Sequence, residues 1–158
     1  MAYTRRVQLV ALAAAMLCIL GGCKSYRAPV FTVIDARMTD RSEEGYVLEF
    51  TLEGENVNDE AMPVDSVIYT LDMNGDRVFE GIRMAEATLP RFGTQQVVLP
   101  VAIKAGEAAA SPDGSYEYLF AGTVVYEIPG AIAETLFDTN IRRPTTTFSE
   151  KGRLNFEQ

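Results

Sequence analysis

The chain reads as an all-β protein. The expected fold is an antiparallel two-sheet β-sandwich, immunoglobulin- or fibronectin III-like, with about seven or eight short strands and room for one short helix. Three observations carry that reading. Apolar and polar residues alternate with period two along several stretches, the pattern of a strand with one buried face. Turn signals separate these stretches at short intervals, among them Asn74-Gly75, Ser111-Pro112-Asp113-Gly114 and Pro129-Gly130. Hydropathy is balanced, with 47% hydrophobic and 23% charged residues. That is enough apolar material for a core, and it argues against intrinsic disorder.

Val30 to Arg37, VFTVIDAR, is β-branched and apolar and makes the first strand; Thr39 to Gly45 is polar and turn-like. Tyr46, Leu48, Phe50 and Leu52 then alternate with Glu49, Thr51 and Glu53, giving a second strand. Gly54 to Pro63 is a polar connection in which Asn and Asp side chains fold back on nearby backbone amides, and Pro63 ends pairing on one side. Val67, Tyr69, Leu71 and Met73 form one face of the third strand. Asn74-Gly75 follows at once and supplies the two positive φ angles of a type I′ hairpin turn. The return strand begins at Val78-Phe79 and is expected to stop at Gly81, with weaker periodicity from Ile82 to Gln95 and a loop at 89–93.

Val97, Leu99, Val101 and Ile103 alternate again, and Pro100 inside the run marks an edge strand or a bulge. Tyr116 to Ile128 is the longest strand candidate, with Tyr116, Tyr118, Phe120, Val124 and Tyr126 on one face and a bulge at Gly122. Ile132, Ala133, Leu136 and Phe137 follow at i, i+1, i+4 and i+5. That spacing fits a two-turn helix, and equally an apolar loop folded over one end of a sandwich. After Arg142-Arg143-Pro144, the segments 145–148 and 152–156 close the chain as a strand pair or one bulged strand.

The order of these pieces resembles a known family. An alternating strand ends in an Asn-x-Asn turn, a Pro-Val leads into a second strand with an Ile-Tyr-x-Leu core, a Gly sits in the hairpin and Phe-x-Gly closes it. In this chain they are LEGENVND, MPVDSVIYTLDMNGDRVFEG and LPRFGTQQVVLPVAI. The chain resembles the type 2 late embryogenesis abundant family, also called the water stress and hypersensitive response (WHy) domain. The resemblance covers roughly residues 30 to 154, and the family turn is Asn56-Val57-Asn58, without the proline the family usually carries in it. It implies a folded β-protein and a non-enzymatic role in protection against desiccation and other stress.

Residues 1 to 22 read as a bacterial lipoprotein signal peptide. Arg5 and Arg6 are its positive start, and Val7 to Leu20 is an apolar run broken only by Gln8. The run is shorter than the ~20 apolar residues a membrane span needs. Leu20-Gly21-Gly22-Cys23 matches a lipobox, so Cys23 is the expected lipidation site, diacylglyceryl- and fatty-acylated (palmitate). Residues 23–29 are then a lipidated tether, and 30–156 the WHy-like domain. Lys24 in place of Asp favours the outer membrane, with the domain in the periplasm. Cys18 leaves with the signal and lipid consumes Cys23, so no thiol or disulfide remains.

Charge narrows the partners. The chain has 14 basic and 22 acidic residues, and loss of Arg5 and Arg6 with the signal makes it more acidic still. Nucleic acid is excluded as a partner, since phosphate binding needs clustered Lys and Arg. Contact with the membrane is expected through the lipid on Cys23 and not through the protein surface.

Chemistry is narrowed further by the absence of histidine, which removes the commonest general base and most zinc sites. No catalytic residues, no metal and no cofactor are expected. Glu55, Asp59 and Glu60 crowd one turn, but their spacing matches no ordered calcium loop and suits a solvated acidic face. A carboxylate-dependent hydrolase would need two acids converging in a cleft, and the spacing does not demand it. Phe92, Ile132, Leu136 and Phe137 lie in connections. They either plug strand ends or form an apolar interaction patch. Two functions remain in view: a lipid-anchored stress-protection protein, and an envelope adaptor binding a protein partner or a lipid-like ligand.

Overall fold

The computed structural model describes residues 25–107 and 115–155. Over these residues the predicted sandwich is present. Its strands are β1 (Val30–Arg41), β2 (Gly45–Asn56), β3 (Met62–Met73), β4 (Asp76–Leu89), β5 (Gly93–Lys104), β6 (Ser115–Tyr126) and β7 (Thr145–Asn155). One short helix, α1 (Ala131–Asp138), lies between β6 and β7. One sheet has the order β1-β2-β5 and the other β4-β3-β6-β7. All pairings are antiparallel.

Alternation builds the core as expected. Leu48, Phe50 and Leu52 of β2 and Leu99 and Val101 of β5 face Val67, Leu71, Phe120 and Val124 of the other sheet, all fully buried. Between the two sheets the Phe50 and Phe120 rings stack, with centroids 3.9 Å apart and planes 9° from parallel. Tyr69 adds a polar tie between the layers: its hydroxyl donates to the Pro100 carbonyl of β5 at 2.7 Å. Burial raises the Tyr69 pKa, in keeping with a hydroxyl that must stay protonated to donate.

The Asn74-Gly75 hairpin forms as predicted, with φ of 49° and 95° at the two residues. The return strand departs from expectation. It continues past Gly81 to Leu89, making β4 the longest strand, where β6 was expected to be. Opposite Asp65, β4 carries two residues, Ala85 and Glu86, and Glu86 has φ of 46°. This bulge shifts the parity of the side chains, which erases the period-two signal in the sequence. No bulge occurs at Gly122, whose pairing with β7 is regular. A Cβ there would stand 2.6 Å from the Phe148 ring, so the glycine makes room for that core aromatic. The C-terminal segments form one strand, β7, at the sheet edge.

Each of the four edge strands is interrupted or charged. β1 carries extra residues at Ile34 and Thr39. β5 contains Pro100, which has no N–H to offer. β4 has its bulge at Glu86, and β7 carries Glu150, Lys151 and Arg153.

Candidate functional site

β2, β4 and β6 finish at one end of the sandwich, where β3, β5 and β7 begin and β1 starts. Every residue that sequence reasoning singled out falls at this pole, apart from Cys23, which lies outside the described residues along with the signal peptide and lipobox.

Asn56 is the pole's centre. It is fully buried at the end of β2. Its Nδ2 donates to the carbonyls of Glu60 at 2.7 Å and Pro90 at 3.1 Å, and its Oδ1 accepts from the Asn58 backbone N–H at 2.9 Å. One side chain thus closes the 57–61 turn and ties it to the β4–β5 turn. Only an amide has donors and an acceptor on one short side chain to do this. Asn58 extends the arrangement outward. Its Oδ1 accepts from the Arg27 N–H and its Nδ2 donates to the Arg27 carbonyl, both at 2.9 Å, in the manner of a strand partner. Its own carbonyl accepts from the Phe92 N–H at 3.0 Å. Val57 between them points outward and is exposed. The family turn is therefore a buried clamp, and the tether is fixed at Arg27, with Pro29 buried behind it. Nothing in the run 24–29 signals that fixation, because the partner lies 31 residues away.

α1 resolves the open alternative between helix and apolar loop in favour of a helix. The Gly130 N–H donates to Glu134 Oε1 at 3.2 Å at its start. Asn140, with φ of 61°, turns the chain out at its end, and the Ile141 N–H donates back to the Leu136 carbonyl at 2.9 Å. Phe137 is buried, with the Arg143 guanidinium 4.5 Å above its ring. Arg143 in turn meets Asp65 at 3.3 Å. Phe137 is thus held under Arg143 and is the buried member of the four apolar residues.

An open groove of about 760 Å³, mainly apolar, runs along α1. Ile132, Leu136 and Phe137 line it together with Ser25, Tyr26 and Ile128. Phe92 does not reach the groove. It stands exposed on the Asn58 side of the pole with φ of 48°. Sequence reasoning missed Tyr26 as part of the groove and Ile141 as an exposed apolar residue beside it. Burial raises the Glu127 pKa, and the nearby carboxylates of Glu134, Asp138 and Asp65 add to the shift. Among the described residues no three acidic or sulfur ligands converge on a point, so Glu55, Asp59 and Glu60 do not form a cation cage.

The family model of the late embryogenesis abundant proteins, LEA_2, matches residues 51–146, from within β2 to the start of β7. The chain belongs to the LEA_2 family. The matched span contains the Asn56–Asn58 clamp, Phe92 and α1. No curated protein matches this LEA_2 chain. Several solved structures share its fold. An Arabidopsis thaliana protein solved in solution superposes with a TM-score of 0.64 at 14% identity, over 86% of this chain and 87% of that one. A protein described as late embryogenesis abundant, also solved in solution, gives 0.60 at 14% identity, over 96% and 85%. A crystal structure of an Archaeoglobus fulgidus protein gives 0.53 at 12% identity, over 85% and 99%.

Proposed function

We propose that this LEA_2 chain is a non-enzymatic, lipid-anchored protein of the bacterial envelope, held in the outer membrane through Cys23, that protects envelope components during desiccation and related stress. The observation that carries the reading is the family match across a folded acidic sandwich. A stable, strongly charged domain keeps its own water and holds neighbouring proteins apart as solvent is lost. The lipobox at residues 20–23 supplies the location, since stable anchoring takes more than one acyl chain and a triacylated cysteine provides it.

A freeze–thaw assay tests the function. A labile enzyme is frozen with the purified protein, or with an equal mass of an unrelated acidic β-sandwich. Greater retained activity with the LEA_2 protein supports the reading, and equal retention removes direct shielding as the mechanism. The groove along α1 favours a second reading, an envelope adaptor that holds a protein partner or a lipid-like ligand. Equal retention in the assay moves that reading to the front.

A further inference from the structure

We propose that the α1 pole docks on a phospholipid bilayer and inserts its exposed apolar side chains between the headgroups. This rests on the anchor reading of Cys23 and goes beyond it, because it assigns a membrane-facing surface to the folded domain itself. The acidity of the chain predicts contact through lipid alone, and the distribution of exposed apolar residues points the other way.

Among the described residues ten large apolar side chains are exposed, and five of them, Val30, Val57, Phe92, Ile132 and Ile141, stand at this one pole. Three are more than two-thirds exposed: Phe92 at 71%, Ile132 at 79% and Ile141 at 72%. The five come from the first residue of β1 and from three separate connections, so no single strand pattern accounts for their clustering. Phe92 is also strained. A bulky side chain at φ of 48° occupies a backbone region that suits Gly or Asn, and its ring is left largely exposed.

The place where Arg27 is held selects the occupant. Arg27 is clamped to Asn58 by two hydrogen bonds. The four peptide steps from Cys23 to Arg27 span no more than about 14 Å even when fully extended. With the acyl chains of Cys23 in the hydrocarbon, that reach keeps the pole beside the headgroup layer, which is roughly 5–8 Å thick on each side of a bilayer. Apolar side chains facing that layer gain by burial in it. Arginines at the pole (Arg27, Arg91, Arg142 and Arg143) are outnumbered by acids (Glu55, Asp59, Glu60, Asp65, Glu127, Glu134 and Asp138). No basic field draws the pole to lipid headgroups, so the attraction is apolar and does not weaken as salt rises.

The chain contains no tryptophan, so one introduced indole reports one position. The full-length lipidated protein is reconstituted in phosphatidylethanolamine/phosphatidylglycerol vesicles with and without brominated phosphatidylcholine, as Phe92→Trp, Ile132→Trp and Ile82→Trp. Ile82 is as exposed as Phe92 but lies on β4, away from the pole. The expected result is blue-shifted emission and strong bromolipid quenching at positions 92 and 132, not weakened in high salt, with none at 82. Flotation with the vesicles but aqueous, unquenched emission at 92 and 132 overturns the docking and leaves the anchor standing. Failure to float overturns both. Equal quenching at all three positions means that the domain lies on the bilayer without orientation, which also overturns the assignment. A blue shift without quenching marks a protein contact, either a second copy or an adaptor's partner, in place of lipid.

Discussion

Replacing Asn56 with alanine is expected to cost roughly 2–4 kcal/mol, because it removes the hydrogen bonds of a fully buried amide that joins two turns and empties its place in the packing. The Glu60 and Pro90 carbonyls lose their donor and the Asn58 N–H loses its acceptor. Urea unfolding of Asn56→Ala beside Val57→Ala measures it, since Val57 is exposed and its truncation should change little. Glu127 gives the pH counterpart. Its folded-state pKa is raised by burial and by three neighbouring carboxylates. A carboxyl raised on folding favours the protonated native state. Its contribution is therefore most favourable below the ordinary carboxylate range and is lost as pH rises through the folded pKa. Glu127→Gln is expected to raise the melting temperature at neutral pH, with the gain vanishing in acid. A gain of equal size at both pH values would assign the effect to packing instead.

At the scale of elements, the joint between tether and turn is the part that can be opened selectively. Asn58→Ala removes both bonds to Arg27 while leaving the Asn56 ties to Glu60 and Pro90 in place. Hydrogen exchange should show the Arg27 amide losing protection while amides of β2 and β3 keep theirs. Loss of protection throughout β2 would mean that the clamp holds the sheet and not the tether. The elements also differ in how plainly they can be read from residues alone. The β3–β4 hairpin is legible because Asn74-Gly75 is a local signal that needs no distant partner. The second half of β4 is illegible because the Glu86 bulge changes which residues face inward. α1 stays ambiguous because i, i+1, i+4 and i+5 satisfy both a helix and an apolar cap over a sheet end. The Asn-x-Asn turn can be recognised as a turn, but its clamping role depends on Leu89, Pro90 and Arg27, each more than thirty residues away in sequence.

For the whole molecule, the proposed location rests on Cys23. Substitution by alanine is expected to abolish incorporation of labelled palmitate and to remove the protein from the outer-membrane fraction. Labelling that survives Cys23→Ala would place the lipid elsewhere or reject the lipobox. If the anchor holds, the molecule works tethered at high local density, and water loss raises that density further. Extended backbones at close range then tend to pair edge to edge, and the pairing spreads. The four outer strands of this sandwich meet that hazard in different ways: two bulges along β1, a proline in β5, register shifts along β4 and charged side chains on β7. On the proposed role, drying would press many copies together without supplying a seam along which they could zip into fibrils, and the return of water would find separate, folded molecules.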